Sequence, residues 1–375
     1  MHENKESMLD LRPVLITGGA GFIGTNLADR LLRSGKSVIL FDNLSRTGVH
    51  HNLHWLMERH SRRLVGILED VRDATALYEQ VGKASAVGVG QSMYEIERYT
   101  SVNNLGTAIL LQCLLDHPVN RLVAASSMSI YGEGLYRNAE GAWVQGIERN
   151  EMQLQQCEWE LKDEQGRRLE PAPTRESKLP TLASVYALSK YDQERLCLMI
   201  GQAYGIPTVA LRLFNVYGTR QSLSNPYTGV LAIFAARYLN QHPPFIYEDG
   251  LQQRDFVSVH DVARAFRLAL ESDRAAGQAL NIGSGRSLCI KGVALQMGRL
   301  LNQEHLTPQI TGKYRRGDIR HCFGDIEKAR HVLGYRPSIV FEEGLKELSD
   351  WLSRQGAIDR LDEATAPLSS RGLTR

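Results

Sequence analysis

Metal, redox, membrane and nucleic-acid chemistry each leave marks that this sequence lacks. Its 375 residues hold five cysteines, at positions 113, 157, 197, 289 and 322. They stand far apart with no Cys-x-x-Cys, and there is no His-Glu-x-x-His, so neither a metal site nor a redox pair is argued. An odd, sparse cysteine count fits a reducing cytoplasm. Met1 to Asp10 is polar and mixed in charge, without the apolar core of a signal peptide. No apolar run reaches the length of a membrane-spanning helix, so no membrane partner is expected and the expected location is the cytoplasm. The formal net charge is only +2 and the basic residues are dispersed, which speaks against nucleic acid as a partner. What remains is an ordinary globular composition, 43% hydrophobic and 23% charged, long enough for two or three domains of roughly 150 residues.

Val14-Leu15-Ile16 reads as a short buried strand, followed at once by Thr17-Gly18-Gly19-Ala20-Gly21-Phe22-Ile23-Gly24. A helix then opens with apolar residues at Ile23, Leu27 and Leu31. Strand, glycine loop and helix are the context that a dinucleotide fingerprint requires. Gly18, Gly21 and Gly24 allow a tight turn and let a pyrophosphate approach the helix N-terminus. Ser37 to Phe41 reads as a second strand ending at Asp42, whose carboxylate can accept bonds from both adenosine ribose hydroxyls and repels a 2′-phosphate. That favours NAD over NADP, a preference that Arg46 nearby can temper. Leu64 to Leu68 reads as the third strand, with Asp70-Val71 after it where the adenine edge belongs. Arg121 to Ala125 reads as the fifth, preceded by a helix with Val102, Leu105, Ile109 and Cys113 on one face. Only Ala84 to Val89 is available for the fourth, central strand. A buried parallel strand should be rich in valine, isoleucine and leucine. This one is short, small and glycine-bearing, so a shortened or displaced fourth strand is expected.

The fifth strand runs into Ser126-Ser127-Met128-Ser129-Ile130-Tyr131-Gly132. Hydroxyls at a strand's C-terminal edge face the cofactor crevice in such a fold. Further on, Tyr186 stands four residues before Lys190 in a helix-forming stretch, which puts both on one face. A fixed ammonium beside a phenol favours the phenolate and lowers a pKa that is normally about 10. Tyr186 is therefore a candidate general base. The spacing is common by itself; the glycine loop, Asp42 and the serines give it weight.

Taken together these segments resemble the extended short-chain dehydrogenase/reductase family of nucleotide-sugar epimerases and dehydratases. The resemblance runs from about residue 12 to about residue 352. Its motifs are Thr-Gly-Gly-Ala-Gly-Phe-Ile-Gly at 17–24, Asp-Asn-Leu-Ser at 42–45 and Ser-Ser-x-x-x-Tyr-Gly at 126–132. Tyr-x-x-x-Lys at 186–190, Arg-x-Phe-Asn-x-Tyr-Gly at 212–218 and Arg-Asp-Phe-Val at 254–257 complete the set. Segments at 88–94, 224–230 and 313–321 are most similar to the dTDP-L-rhamnose 4-epimerases of that family.

The resemblance implies an α/β fold, a Rossmann-type doubly wound parallel sheet with a smaller mixed α/β substrate-binding domain. It implies a cofactor domain at 11–215, with an insertion at 137–180 and a return at 250–275. The substrate domain then takes 216–249 and 276–353, and 354–375 is a flexible tail. NAD contacts are implied for Gly18, Gly21, Phe22, Ile23, Gly24, Asp42, Asn43, Ser45, Asp70, Val71, Asn103, Tyr186 and Lys190. Ser127 is implied as the catalytic hydroxyl, Tyr186 as acid/base, and Lys190 as the residue that binds the nicotinamide ribose and lowers the tyrosine pKa. Ser127, Asn215, Arg254 and Arg315 are implied to hold a nucleotide-diphosphate sugar, a forked guanidinium being suited to a diphosphate. As bare residues, the two arginines also read as surface ion pairs and Asn215 as a turn residue.

The implied reaction is C4 epimerisation of dTDP-L-rhamnose to dTDP-6-deoxy-L-talose through a transient 4-keto sugar. Another nucleotide-sugar epimerase or a 4,6-dehydratase is the alternative within the family, but Met128-Ser129 stands where dehydratases carry Asp-Glu. An inactive NAD- or nucleotide-sugar-binding protein is the alternative outside it, because a cofactor-lining segment is cut short before Gly88. The polar stretch from Arg137 to Leu179 leaves three readings open: a substrate lid, a small hairpin module or a mobile surface insertion. A homodimer through the helices of Val102–Cys113 and Tyr186–Ile200 is also implied.

Overall fold

A computed structural model describes residues 13–46, 48–80, 93, 95–221, 229–315, 317–354, 370 and 374 of the chain. Three strands, β1 (Val14–Thr17), β2 (Val38–Phe41) and β3 (Leu64–Ile67), pair in parallel with β2 in the middle. Val14 lies opposite Val38, and Val38 opposite Leu64. Three more, β4 (Leu122–Ser127), β5 (Thr208–Leu213) and β6 (Gln278–Ile282), form a second parallel set around β5. Parallel neighbours need long crossovers, and helices supply them. They are α1 (Phe22–Arg33), α2 (Val49–Arg59), α3 (Ala74–Gln80), α4 (Gly106–Asp116), α5 (Val185–Ala203) and α6 (Val259–Glu271).

Side chains alternate along a strand, and that alternation decides which helices cover which face. Ile16, Leu40 and Leu211 pack with Leu31 of α1, Leu56 of α2 and Val262 of α6. Leu15, Phe41 and Ala124 turn the other way, onto Leu77 of α3, Leu111 of α4 and Cys197 of α5. Helices on both faces of parallel strands make this the doubly wound α/β architecture that the motifs implied. A second core of Tyr217, Leu231, Phe256, Met297, Phe341 and Leu345 lies among the helices Val230–Leu239, Ile290–Leu300 and Phe341–Leu352.

The expected fourth strand at 84–89 lies outside the described residues, as do most of the segments at 88–94 and 224–230 and most of the tail. Among the described residues no ladder joins β1 to β4. Instead every residue of both strands lines one cavity of 920 Å³, which also opens onto the glycine loop.

The insertion is a small antiparallel module, the second of its three readings. Leu135–Arg137 pairs with Trp143–Val144 on one side and Glu170–Ala172 on the other, over a core of Tyr136, Leu161 and Leu169. Buried charge fastens it to the body. Arg320, 0% exposed, bonds Glu160 at 2.5 Å, Glu248 at 2.9 Å and Asp249 at 2.6 Å. Arg149 of the insertion reaches Glu248 at 2.6 Å and Glu133 at 3.5 Å.

Candidate active site

The cofactor end is built by backbone turns. Gly18 adopts φ 60°, a conformation open to glycine, and its carbonyl accepts the Gly21 N–H at 3.0 Å. A Cβ on Gly24 would collide with the same carbonyl, so α1 can approach the loop only without a side chain there. The Asp42 carboxylate accepts the Ala20 N–H at 3.1 Å and the Leu44 N–H at 2.8 Å, tying the end of β2 to the glycine loop. Burial pushes its pKa up, and those N–H groups pull it back. Asn43 donates to Asp70 at 2.8 Å, joining the loops after β2 and β3. The Arg72 guanidinium holds the Asp70 carboxyl well below the usual carboxylate range.

Gly18, Gly21, Phe22, Ile23, Gly24, Asp42, Asn43, Ser45, Asp70 and Val71 all line the cavity. A carboxylate at the end of the second strand and a side-chain-free loop at a helix N-terminus fit the ribose and pyrophosphate of a dinucleotide.

The reacting end is set by strand and helix termini. Ser127 is the last residue of β4. Ser184 caps α5, its hydroxyl accepting the Ala187 N–H at 3.1 Å, which fixes Tyr186 in the first turn and Lys190 one turn on. The Ser127 hydroxyl hydrogen-bonds the Tyr186 phenol. Tyr99 packs edge-on against that ring, with centroids 6.3 Å apart. Ser127, Tyr186 and Lys190 line the same cavity as the glycine loop.

One expectation is corrected here. Lys190 does not lower the Tyr186 pKa. Burial pushes the phenol above its ordinary value, and the Ser127 hydrogen bond and the Arg46 guanidinium pull against it. The Lys190 ammonium donates instead to Gln193 Oε1 at 2.5 Å, and burial brings its own pKa down to about 8. Counting residues along a helix gives proximity but not the cost of stripping water from both groups. Arg46, which the sequence pointed to only as a cofactor selector, is thus a cation felt at Tyr186. Gln193 stands three residues beyond Lys190, a helical spacing that puts the two side chains on one face.

Other residues are set apart. Asn103 is fully buried and donates to Ser189 Oγ at 3.0 Å, behind α5 rather than on the cavity wall. Asn215 is on the wall, its amide donating to the Asp255 carbonyl at 3.1 Å. Arg254 is not; its guanidinium donates to the carbonyls of Arg320, at 2.9 Å, and Ile319. Arg315 lies over the Tyr247 ring, 4.4 Å from its centre. Among the described residues no group of His, Cys, Asp and Glu could hold a metal ion, and no helix is long and apolar enough to cross a membrane.

Residues 14–150 and 163–283 match the NAD dependent epimerase/dehydratase family. The chain belongs to that family. It is 32% identical over 373 residues to the dTDP-L-rhamnose 4-epimerase of Burkholderia thailandensis, covering 95% of this chain and 99% of that one. The UDP-glucose 4-epimerase of Thermus thermophilus, solved with NAD, superposes with a TM-score of 0.71 at 30% identity, over 92% of this chain and 100% of that one. A dTDP-glucose 4,6-dehydratase from Streptomyces venezuelae, solved with NAD bound, gives 0.76 at 25% identity, over 93% and 100%. The resemblance read from the motifs is borne out. This epimerase-family chain is an NAD-dependent enzyme.

Proposed function

We propose that the enzyme inverts C4 of a nucleotide-activated 6-deoxysugar, taking dTDP-L-rhamnose to dTDP-6-deoxy-L-talose. The observation that carries this is the bonded Ser127–Tyr186 pair, with Lys190 one turn away, in the cavity that holds the glycine loop. NAD supplies the hydride acceptor and donor for C4. Tyr186 removes the proton from the C4 hydroxyl and returns one to the keto oxygen after the sugar has turned its other face. Ser127 bonds the same oxygen and holds it against Tyr186. Lys190 holds the nicotinamide ribose, and the lining residues from Gly18 to Val71 hold the rest of the cofactor.

The substrate assignment rests on the similarity to the Burkholderia enzyme and on the wall beside Ser127. A dehydratase needs an added acid and base directly after the catalytic hydroxyl; Met128 and Ser129 fill those places, both buried. Met128 packs with Phe214 and Ile130, an apolar surface suited to a methyl group rather than a hydroxymethyl or carboxylate. Asn215 is assigned to the sugar. Arg254 and Arg315 are assigned to the diphosphate, which requires both guanidinium groups to leave their present partners.

We further assign residues 11–215 with 250–275 to the cofactor domain, 216–249 and 276–353 to the substrate domain, and a homodimer through α4 and α5. Leu105, just before α4, and Leu188 and Met199 of α5 are each about half exposed, and Leu188 and Met199 recur on one face of α5.

Purified protein incubated with dTDP-L-rhamnose and followed by NMR should accumulate the C4 epimer, and Tyr186→Phe should not. No conversion by folded, NAD-loaded protein sinks the epimerase reading. Folded protein that never retains NAD favours the non-catalytic reading, with the short segment before Gly88 as its cause.

A further inference from the structure

Three serines cluster at the end of β4, and each has a different partner. The Ser126 hydroxyl donates to the buried Glu194 at 2.6 Å. Ser127 turns toward Tyr186. Ser129, 6% exposed and on the cavity wall, turns back: its hydroxyl donates to Ser127 Oγ at 2.9 Å, and its backbone N–H reaches the same oxygen at 3.2 Å. A serine hydroxyl has one proton to give and two lone pairs to fill. Ser129 fills both. Ser127 is left with one role, that of donor, and the phenol oxygen of Tyr186 stands in front of it.

We propose that Ser129 is a positioning residue of the epimerase site, fixing the direction of the Ser127–Tyr186 hydrogen bond so that Ser127 donates and Tyr186 accepts. The inference rests on Ser127 and Tyr186 being the reacting pair. A phenol that accepts a bond is stabilised as phenolate, the form required to take the C4 proton. Without the Ser129 hydroxyl, Ser127 gains a free lone pair and can accept from the phenol instead, which favours the neutral tyrosine. The charged and titratable groups facing Tyr186 are Arg46 after β2, Tyr99 and Arg98 before α4, and Lys190 on its own helix. None of them changes in the variants below.

The test is the pH profile of kcat/KM for Ser129→Ala, beside Ser129→Thr, Ser127→Ala and Tyr186→Phe. The alanine variant keeps the backbone N–H and loses the hydroxyl. Its acid limb should move up by about one pH unit and its kcat should fall about tenfold, the worth of one hydrogen bond to a charged group. KM for the nucleotide sugar and NAD retention should stay as they are, and threonine should restore the limb. An unshifted limb in Ser129→Ala overturns the proposal. So does equal impairment of the alanine and threonine variants with loss of NAD, which marks a packing role; Ser129→Cys, nearly isosteric and a weak donor, decides the case if alanine does not fold. Should Ser127→Ala and Tyr186→Phe retain full activity, the reading of the pair fails first, and the two failures are told apart.

Discussion

Two buried polar clusters in this protein are put to opposite ends. Around Arg320 every cation meets a carboxylate: Glu160, Glu248 and Asp249 surround it, and Arg149 bridges Glu248 and Glu133. Around Tyr186 burial is just as deep, but the Lys190 ammonium donates to a neutral amide, Gln193, and not to a carboxylate. The consequence is opposite in sign. Pairing pushes the Arg320 guanidinium further above its ordinary value against burial, whereas burial prevails at Lys190 and brings it to about 8. Burial raises Tyr186 as well. A matched cluster is fixed in one protonation state and fastens the insertion to the body. An unmatched one sits close to a change of state, as acid–base chemistry requires.

The comparison breaks if either cluster does the other's work. Tyr186→Phe removes one hydroxyl from the unmatched cluster and should lower kcat by about a thousandfold, within the range of lost general acid–base catalysis. Its urea midpoint and NAD content should match the parent's. Arg320→Met should do the converse. It takes a buried cation from Glu160, Glu248 and Asp249, leaving Glu248 to Arg149 and Glu160 to His321 and Arg168, a loss of roughly 3–5 kcal/mol in unfolding free energy, read from urea denaturation. The activity of the fraction that remains folded should be close to the parent's. An Arg320→Met protein as stable as the parent would show that the insertion is held by its apolar core alone.

The same contrast explains what could be read from the chain. The glycine loop, Asp42, Ser127 and Tyr186 were legible because each acts from a place that topology fixes: a strand end, a helix start, a loop between them. Lys190's effect was not legible, since it depends on Gln193, on Arg46 from another loop and on lost water. Nor was the insertion's role. Its Glu160 meets Arg320 across 160 residues of sequence, and no local pattern announces that pairing. Arg254 and Arg315 match family motifs, yet their guanidinium groups settle on backbone carbonyls and a tyrosine ring, choices made by tertiary packing.

Acid sharpens the comparison on the matched side. Burial pushes Glu160 up, but hydrogen bonds from His321 and Arg320 outweigh it and hold the carboxyl at about 2, against an ordinary 4.5. A depressed carboxylate stabilises the fold above its unfolded value and loses that stabilisation as pH falls through its folded one. Unfolding free energy should therefore drop by about 2–3 kcal/mol between pH 4.5 and pH 2. Glu160→Gln, less stable at neutral pH, should flatten that segment of the curve; an unchanged slope would remove Glu160 from the account.

On the unmatched side the test is alkaline, and it sets activity against stability. Lys190 titrates near 8 in the fold and near 10.5 when unfolded. As pH rises through 8, the folded chain gives up a proton that the unfolded chain keeps, so the unfolded state binds more protons and stability rises with pH up to about 10.5. Activity should run the other way, because the ammonium assigned to the nicotinamide ribose is lost. The limb of kcat/KM above pH 8 should fall about tenfold per unit, the slope of a single deprotonation. Lys190→Arg, whose cation does not titrate in this range, should lose that limb while keeping a reduced plateau. A parent profile flat to pH 10 would mean that the ammonium is matched after all, and that the two clusters differ less than their geometry says.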